Sequence, residues 1–152
     1  MLMLGIDISM VALALAGAGE PRVSEEQARI LFADYQEKGR TFDPGEADLH
    51  CENGNILMYR EDASGAVKKI EGAAAGYKRI LRESVSEAKL AGDYSEYSGV
   101  TYHSVGANVR IDATRYSVLR KYKSPASFLV GMCDAGGIGI LEMTIYSKPP
   151  QE

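Results

Sequence analysis

The chain has 152 residues, of which 45% are apolar and 25% charged, and its 17 basic and 21 acidic residues give a formal net charge of −4. This composition is typical of one globular domain and excludes collagen-like, low-complexity and disordered chains. Nucleic-acid binding is also disfavoured, because the basic residues are scattered apart from a short group at 120–123.

Residues 1–18 form an apolar segment that ends in Ala16-Gly17-Ala18. This small-x-small ending is typical of a signal-peptidase site, so residues 1–22 are interpreted as an apolar leader. The segment contains no Lys or Arg and is interrupted by Asp7, which favours the alternative of a first element of the fold. We expect a periplasmic or secreted protein if the leader is cleaved and a cytoplasmic one otherwise. Stable membrane insertion is not expected, because a spanning helix needs roughly 20 apolar residues.

Two helix starts follow the leader. Ser24 and Gln27 have the spacing of a capping box, and the apolar stripe after them predicts a helix to about residue 38. The run Asp43-Pro44-Gly45-Glu46 predicts a short second helix ending near Cys51, with Asp43 as its cap and Glu46 completing the box.

The rest of the chain predicts one further helix within a set of strands. Helical periodicity extends over residues 73–91 and is ended by Gly92. Alternating or β-branched segments elsewhere predict strands, and Pro125 is expected to bound a loop before one of them. The predicted strands cover residues 55–60, 66–71, 94–105, 109–118, 127–132 and 140–146.

The glycine-rich run Asp134-Ala135-Gly136-Gly137 raises the question of a phosphate-binding loop. Such a loop requires a helix directly after it, whose free amides hold the anion. The next segment, at 140–146, is rich in β-branched side chains and lacks a cap. The run therefore predicts a hairpin turn and gives no support for a nucleotide enzyme.

Cysteine and histidine usage gives no sign of a metal or a cofactor. Cys51 and Cys133 could pair in an oxidising compartment, although two buried free thiols are slightly favoured. His50 and His103 lie far apart and without metal-ligand spacing. We expect no metal and no cofactor.

This order of elements predicts an α+β domain at residues 23–148, in which helices cover one face of a sheet, and a tail at 149–152. With its Phe32-Ala33-Asp34-Tyr35, Phe42-Asp43-Pro44 and Tyr77-Lys78-Arg79-Ile80 segments and the run at 109–117, the chain resembles the nuclear transport factor 2-like superfamily. The resemblance implies a cone-shaped, cystatin-like fold, with three helices packed on a curved, mixed, mostly antiparallel sheet, and a bacterial member of unknown function. Such folds host isomerases, dehydratases, epoxide hydrolases and binding modules, so the fold alone leaves the chemistry open.

Ketosteroid isomerase, an enzyme of this superfamily, provides a comparison by position. Tyr35 stands where the resemblance places the oxyanion tyrosine, but the general-base position falls on Met58. A thioether cannot take a proton, which argues against that mechanism. A shift of three or four residues would instead bring Glu61 or Asp62 to this position.

The chain has nine tyrosines and no tryptophan, which favours a cavity wall with apolar bodies and hydroxyl tips. Arg115 and Glu142 continue the apolar register of two strands, and we expect them to lie two strands apart on either side of Leu129. Alternatives are tyrosines buried in the core and a structural ion pair or dimer contact for the two charges. The candidate cavity residues are Tyr35, Tyr59, Tyr77, Tyr102, Arg115, Tyr116 and Glu142.

The sequence therefore predicts a homodimeric domain that binds a small apolar or amphipathic molecule, or a protein partner. The alternative is an isomerase, dehydratase or hydrolase acting on such a molecule. An enzyme would require a carboxylate or a histidine inside the cavity, close to a tyrosine hydroxyl.

Overall fold

A computed structural model describes residues 22–149, so the predicted leader up to residue 21 and residues 150–152 of the tail lie outside the described residues. No helix within residues 22–149 is long and apolar enough to cross a membrane. The elements follow in the order α1 (Glu25–Arg40), a 3₁₀ helix (Pro44–Leu49), β1 (His50–Glu61), β2 (Val67–Ala73), α2 (Ala74–Ala91), β3 (Ser95–Val105), β4 (Asn108–Ser117), β5 (Tyr122–Met132) and β6 (Ile138–Ser147).

The strands form one six-stranded sheet in the order β2-β1-β6-β5-β4-β3. Strands β1 and β6 pair in parallel, and the other neighbouring pairs are antiparallel. Helix α1 packs against β3 and β4, while α2 packs against β1 and β2. The predicted α+β class, three helices on a mixed, mostly antiparallel sheet, is confirmed.

The core lies between α1 and the inner face of the central strands. Phe32 of α1 is fully buried, and its ring centroid lies 5.0 Å from that of Phe128 on β5. Alternate residues of β4 and β6, such as Ile111 and Met143, complete this buried layer. Alternation with period two places these side chains on one face of the sheet, which is the face that the helices cover.

Several local signals give the structures that the sequence predicts. The Ser24 hydroxyl accepts the Gln27 amide at 3.1 Å, and the Gln27 side chain accepts the Ser24 amide at 2.9 Å. Gly92 ends α2 in the left-handed conformation with φ of 70°. Gly136 and Gly137, with φ of 97° and 81°, form the β5–β6 turn, so the predicted hairpin is confirmed.

Two predicted boundaries are wrong. The second helix is a 3₁₀ helix that ends at Leu49, and β1 begins directly after it at His50 rather than at the predicted residue 55. Pro125 lies inside β5, opposite Thr114, rather than in a loop. Its missing amide is tolerated because β5 pairs with β6 only from Ser127 onwards.

Cys51 and Cys133 form a disulfide bond with their Cα atoms 5.2 Å apart, so the preference for two free thiols is wrong. The parallel pairing of β1 with β6 places the start of β1 next to the β5–β6 hairpin. The disulfide lies over Gly139, where a Cβ atom would be 2.6 Å from the Cys133 sulfur. This neighbourhood depends on pairing between distant segments, which sequence spacing does not reveal.

Candidate functional site

A cavity of about 210 Å³ lies between the C-terminal half of α1, the 3₁₀ helix, α2 and the inner face of the sheet. We call it the main cavity. Its apolar wall includes Phe42, Leu81, Val85, Met143 and Ile145. Its polar groups come from six different elements or connections and include Tyr35, Glu46, Tyr77, Asp93, Tyr97 and Arg115.

Four tyrosines line the main cavity, namely Tyr94 and three whose phenols are buried. Tyr35 comes from the buried stripe of α1, Tyr77 from α2 and Tyr97 from β3. Burial raises the pKa of all three phenols, to about 12 for Tyr97. They therefore stay protonated at neutral pH, where each can donate a hydrogen bond. The Tyr35 hydroxyl lies 3.5 Å from the sulfur of Met143.

Glu46 is the acidic group of the 3₁₀ helix that lines the main cavity. Its carboxyl lies beside Gly39, where a Cβ atom would be 3.6 Å from Oε1. Burial raises the pKa of Glu46 from 4.5 to about 7, and the neighbouring Tyr35 hydroxyl and Arg115 guanidinium offset only part of this rise. Near pH 7 the carboxyl is consequently present in both protonation states.

Arg115 lies on the inner face of β4, in the register of Ile111 and the other buried residues. Its Nη1 donates to the carbonyl oxygen of Tyr146 at 3.2 Å and contacts the Tyr122 hydroxyl at 3.5 Å. Burial acts to lower the pKa of Arg115, but the surrounding phenols, above all Tyr97, outweigh it and raise the pKa. Arg115 is therefore a permanent cation at the wall of the main cavity.

A smaller cavity of about 180 Å³ adjoins the main cavity, and we call it the side cavity. The two cavities have Tyr77, Asp93, Arg115 and Ile145 in common. The side cavity adds Met58, Ser117, Arg120, Tyr122 and Ser147. A ligand with two ends could therefore contact Arg115 from both sides.

His50 is buried against two of the tyrosines that line the main cavity. It is 2% exposed, and its ring lies edge-on to Tyr35 and Tyr77 at centroid distances of 5.5 and 5.4 Å. Neither ring nitrogen has a hydrogen-bond partner among the described residues. Burial lowers the pKa of His50 to about 4, so the ring is neutral at pH 7. His50 thus packs against two phenols as a neutral ring.

The structure brings together three of the seven residues that the sequence predicts, namely Tyr35, Tyr77 and Arg115. The other three tyrosines of the predicted set, Tyr59, Tyr102 and Tyr116, lie outside the main cavity. Tyr59 pairs with Tyr146 across β1 and β6, and the ring of Tyr102 packs under the Arg29 guanidinium at 4.2 Å. Tyr116 lines an open groove on the far side of α1, together with Lys123.

The expectation that Glu142 faces inward is wrong. Ile140 pairs with Val130, but Glu142 pairs with Leu129, so Leu141 is an extra residue that forms a β-bulge. The bulge turns Glu142 to the exposed outer face, while Met143 returns to the core. Arg115 pairs with Ser124, whereas Glu142 pairs with Leu129. Arg115 and Glu142 therefore lie at different positions along the strands and on opposite faces of the sheet.

Sequence reasoning missed several polar groups of the main cavity, among them Glu46, Asp93, Tyr94 and Tyr97. The sequence pattern assigns Glu46 to a capping box, and a six-residue 3₁₀ helix is too short to show which side faces inward. Tyr97 could have been found from strand register, because it lies directly opposite Arg115 on β3.

The positions considered for a general base on β1 lie elsewhere. Met58 lines the side cavity. Glu61 accepts a hydrogen bond from the Tyr146 hydroxyl, and Asp62 holds the β1–β2 turn by accepting the amide of Ser64 at 2.9 Å. None of these three residues lines the main cavity. The carboxyl group beside Tyr35 is that of Glu46, which belongs to the 3₁₀ helix.

No protein-family model matches the sequence, and no curated protein matches it. Solved structures match the fold. A nuclear transport factor 2-like protein of unknown function from Pseudomonas putida KT2440 has a TM-score of 0.57 at 10% identity, over 79% of this chain and 83% of its own. A protein of unknown function with a cystatin-like fold from Methylobium petroleophilum PM1 has a TM-score of 0.53 at 15% identity, over 82% and 77%.

A third match is a protein from Streptomyces avermitilis, provisionally named a dehydratase of the nuclear transport factor 2-like family. Its TM-score is 0.55 at 11% identity, over 78% of this chain and 91% of its own. At such low identity the three matches establish the fold alone. The chain has the nuclear transport factor 2-like, cystatin-like fold, as the sequence resemblance predicts.

Proposed function

We propose that the main cavity binds a small organic molecule and that Glu46 exchanges a proton with it. The observation that carries this proposal is the position of the Glu46 carboxyl inside the cavity, beside the Tyr35 phenol and the Arg115 guanidinium. This arrangement meets the condition that separates an enzyme from a purely apolar binding site. A volume of about 210 Å³ is below the 300–1,000 Å³ of sites for drug-sized ligands, which supports a small substrate.

The three groups have complementary chemical roles in such a reaction. The Glu46 carboxylate takes a proton from a carbon next to a substrate carbonyl, and the electron pair of the C–H bond moves to the carbonyl oxygen. Tyr35 donates a hydrogen bond to that oxygen, and the positive charge of Arg115 stabilises the enolate. A pKa near 7 suits this role, because both proton transfer and the recovery of the base then occur at neutral pH.

The fate of the enolate decides the reaction class. If Glu46 returns the proton to a different carbon, the reaction is an isomerisation. If the substrate carries a β-hydroxyl, that group leaves with the proton of Glu46 as water, and the reaction is a dehydration. The provisional name of the Streptomyces avermitilis protein is in keeping with the second outcome.

The proposal is tested by hydrogen exchange into deuterated water, followed by proton NMR. Cyclohexanone and 2-oxobutyrate serve as small enolisable probes. We expect the protein to accelerate exchange of one of them, and Glu46→Gln to lower that rate by about 100-fold, the scale of general-base catalysis. Glu87→Gln, an exposed position on α2, is the matched control. Wild-type exchange rates in Glu46→Gln would contradict the proposal.

We further propose that the protein is a homodimer that pairs through the outer face of the sheet. That face carries Pro125 and Leu129, and α1 and α2 pack on the opposite face. A dimer formed in this way would not cover the main cavity, which lies between the helices and the inner face of the sheet.

A further inference from the structure

The side cavity contains two guanidinium groups, those of Arg115 and Arg120. Arg115 comes from the end of β4, and Arg120 comes from the connection between β4 and β5. Neither lies within ion-pair distance of a carboxylate among residues 22–149. Two partly buried cations thus line one small cavity, each without an ion-pair partner among the described residues, an arrangement that favours the binding of an anion.

Both guanidinium groups are held in place by backbone carbonyl oxygens. Arg115 Nη1 donates to the carbonyl of Tyr146 at 3.2 Å, and Arg120 Nη1 donates to the carbonyl of Lys148 at 2.7 Å. A guanidinium has five N–H donors, so each keeps further donors after these bonds. Because β6 and the residue after it fix both groups, little side-chain freedom remains to be lost when an anion binds.

Apart from Asp93, the other polar groups of the side cavity are already hydrogen-bonded or are neutral. Ser117 is 2% exposed, and its hydroxyl accepts the amide of Arg120 at 3.4 Å. The Tyr122 hydroxyl donates to the Tyr146 carbonyl at 3.3 Å and accepts the Lys148 amide at 3.1 Å. Asp93 is the one carboxylate in the lining, and two arginines against it leave the cavity net positive.

We infer that the side cavity binds the oxyanion group of the ligand, a carboxylate or a phosphate monoester, between Arg115 and Arg120. This inference rests on the proposed function and names its substrate class, a small organic oxyanion. Arg115 and Tyr77 line both cavities, so a ligand anchored at the arginines would extend toward Glu46. The anionic end would then fix which atom of the ligand faces the Glu46 carboxyl.

The test is equilibrium binding by titration calorimetry and ligand-observed NMR, with three probes that share a phenyl ring. Benzoate and phenyl phosphate carry the two oxyanions, and benzamide is the neutral counterpart of benzoate. We expect at least one anion to bind at least about tenfold more tightly than benzamide, since charge-assisted hydrogen bonds are stronger than neutral ones. The better anion identifies the oxyanion that the site selects.

Variants separate this inference from the proposed function. Arg120→Gln should weaken anion binding about tenfold or more and leave benzamide unchanged, while Arg79→Gln on the exposed side of α2 should change neither. Arg120→Lys keeps the charge and serves if Arg120→Gln does not fold. Glu46→Gln should retain anion binding, so a wild-type rate of proton exchange in this variant, with anion binding intact, would refute only the proposed function.

Equal affinity for benzoate, phenyl phosphate and benzamide would overturn the inference, as would the absence of binding of both anions. Anion binding that is unchanged in Arg120→Gln and in Arg120→Lys would overturn it as well, because the anion would then sit elsewhere.

Discussion

Replacing Glu46 by glutamine is expected to stabilise the protein at alkaline pH while it removes the proposed base. The folded-state pKa of Glu46 is raised by burial from 4.5 to about 7. Below about pH 4.5 the carboxyl is protonated in both the folded and the unfolded chain, so its ionisation costs nothing. Between pH 4.5 and 7 only the unfolded chain ionises, and the free energy of unfolding falls as the pH rises.

The size of this effect follows from the shift in pKa. Each pKa unit corresponds to 1.36 kcal/mol, so a rise from 4.5 to about 7 amounts to roughly 3 kcal/mol above pH 7. Glutamine has a similar shape and no ionisation, so Glu46→Gln escapes this penalty. The variant should therefore gain roughly 3 kcal/mol relative to wild type between pH 4 and pH 8.5.

The measurement is urea unfolding of both proteins at pH 4 and at pH 8.5, and the quantity compared is the difference between variant and wild type. The wild-type profile alone is not informative, because the lowered pKa of His50, about 4, acts in the opposite direction. His50 contributes stability above pH 6.5 that is lost as the pH falls toward 4. Both proteins contain His50, so its contribution cancels in the difference.

The matched control is Glu87→Gln, whose side chain is exposed on α2. Its difference from wild type should be the same at the two pH values. A difference between Glu46→Gln and wild type that is also independent of pH would refute the reasoning, because the carboxyl would then titrate alike in the folded and unfolded chains.

Two further predictions concern the disulfide and the oligomeric state. The Cys51–Cys133 bond closes a loop with a sequence separation of 82 residues, so replacing both cysteines by alanine should lower the free energy of unfolding by about 4 kcal/mol in urea titrations. Such a bond is typical of oxidising compartments, and thiol labelling of the unfolded protein from its natural source should find no free cysteine; labelled thiols would contradict the pairing. Sedimentation velocity should show a dimer at high micromolar concentration, and Leu129→Lys on the outer sheet face should shift it to a monomer; a wild-type monomer at that concentration would remove the dimer.

Most of the fold could be predicted because its signals are local. The capping box at Ser24, the left-handed glycine at residue 92 and the period-two pattern of β4 each depend on a few neighbouring residues. The Gly136-Gly137 turn is distinguished from a phosphate-binding loop by the β-branched segment that comes after it in the chain. These features give the order of elements, and that order gives the fold class.

The parts that were predicted incorrectly depend on pairing between distant segments. Leu141 is an extra residue in β6, so Ile140 and Glu142 face opposite sides of the sheet although they are two residues apart. The alternating pattern of the preceding residues does not predict this bulge. The disulfide depends on the parallel pairing of β1 with β6, which joins segments about 90 residues apart in the chain, as His50 pairs with Ile140. Register errors of this kind move a side chain from the cavity to solvent.

Glu46 is the position where local structure and the proposed chemistry make different demands. A capping role would leave its carboxylate at a helix N-terminus, where nearby amides stabilise the negative charge. The carboxyl instead faces a buried cavity, at a cost of roughly 3 kcal/mol once it is ionised. Proteins retain such costs mainly at functional sites, since replacing the group would otherwise be an easy gain in stability. A Glu46→Gln variant that is more stable than wild type but no longer exchanges the proton would therefore show that one carboxyl causes the stability cost and performs the proposed chemistry.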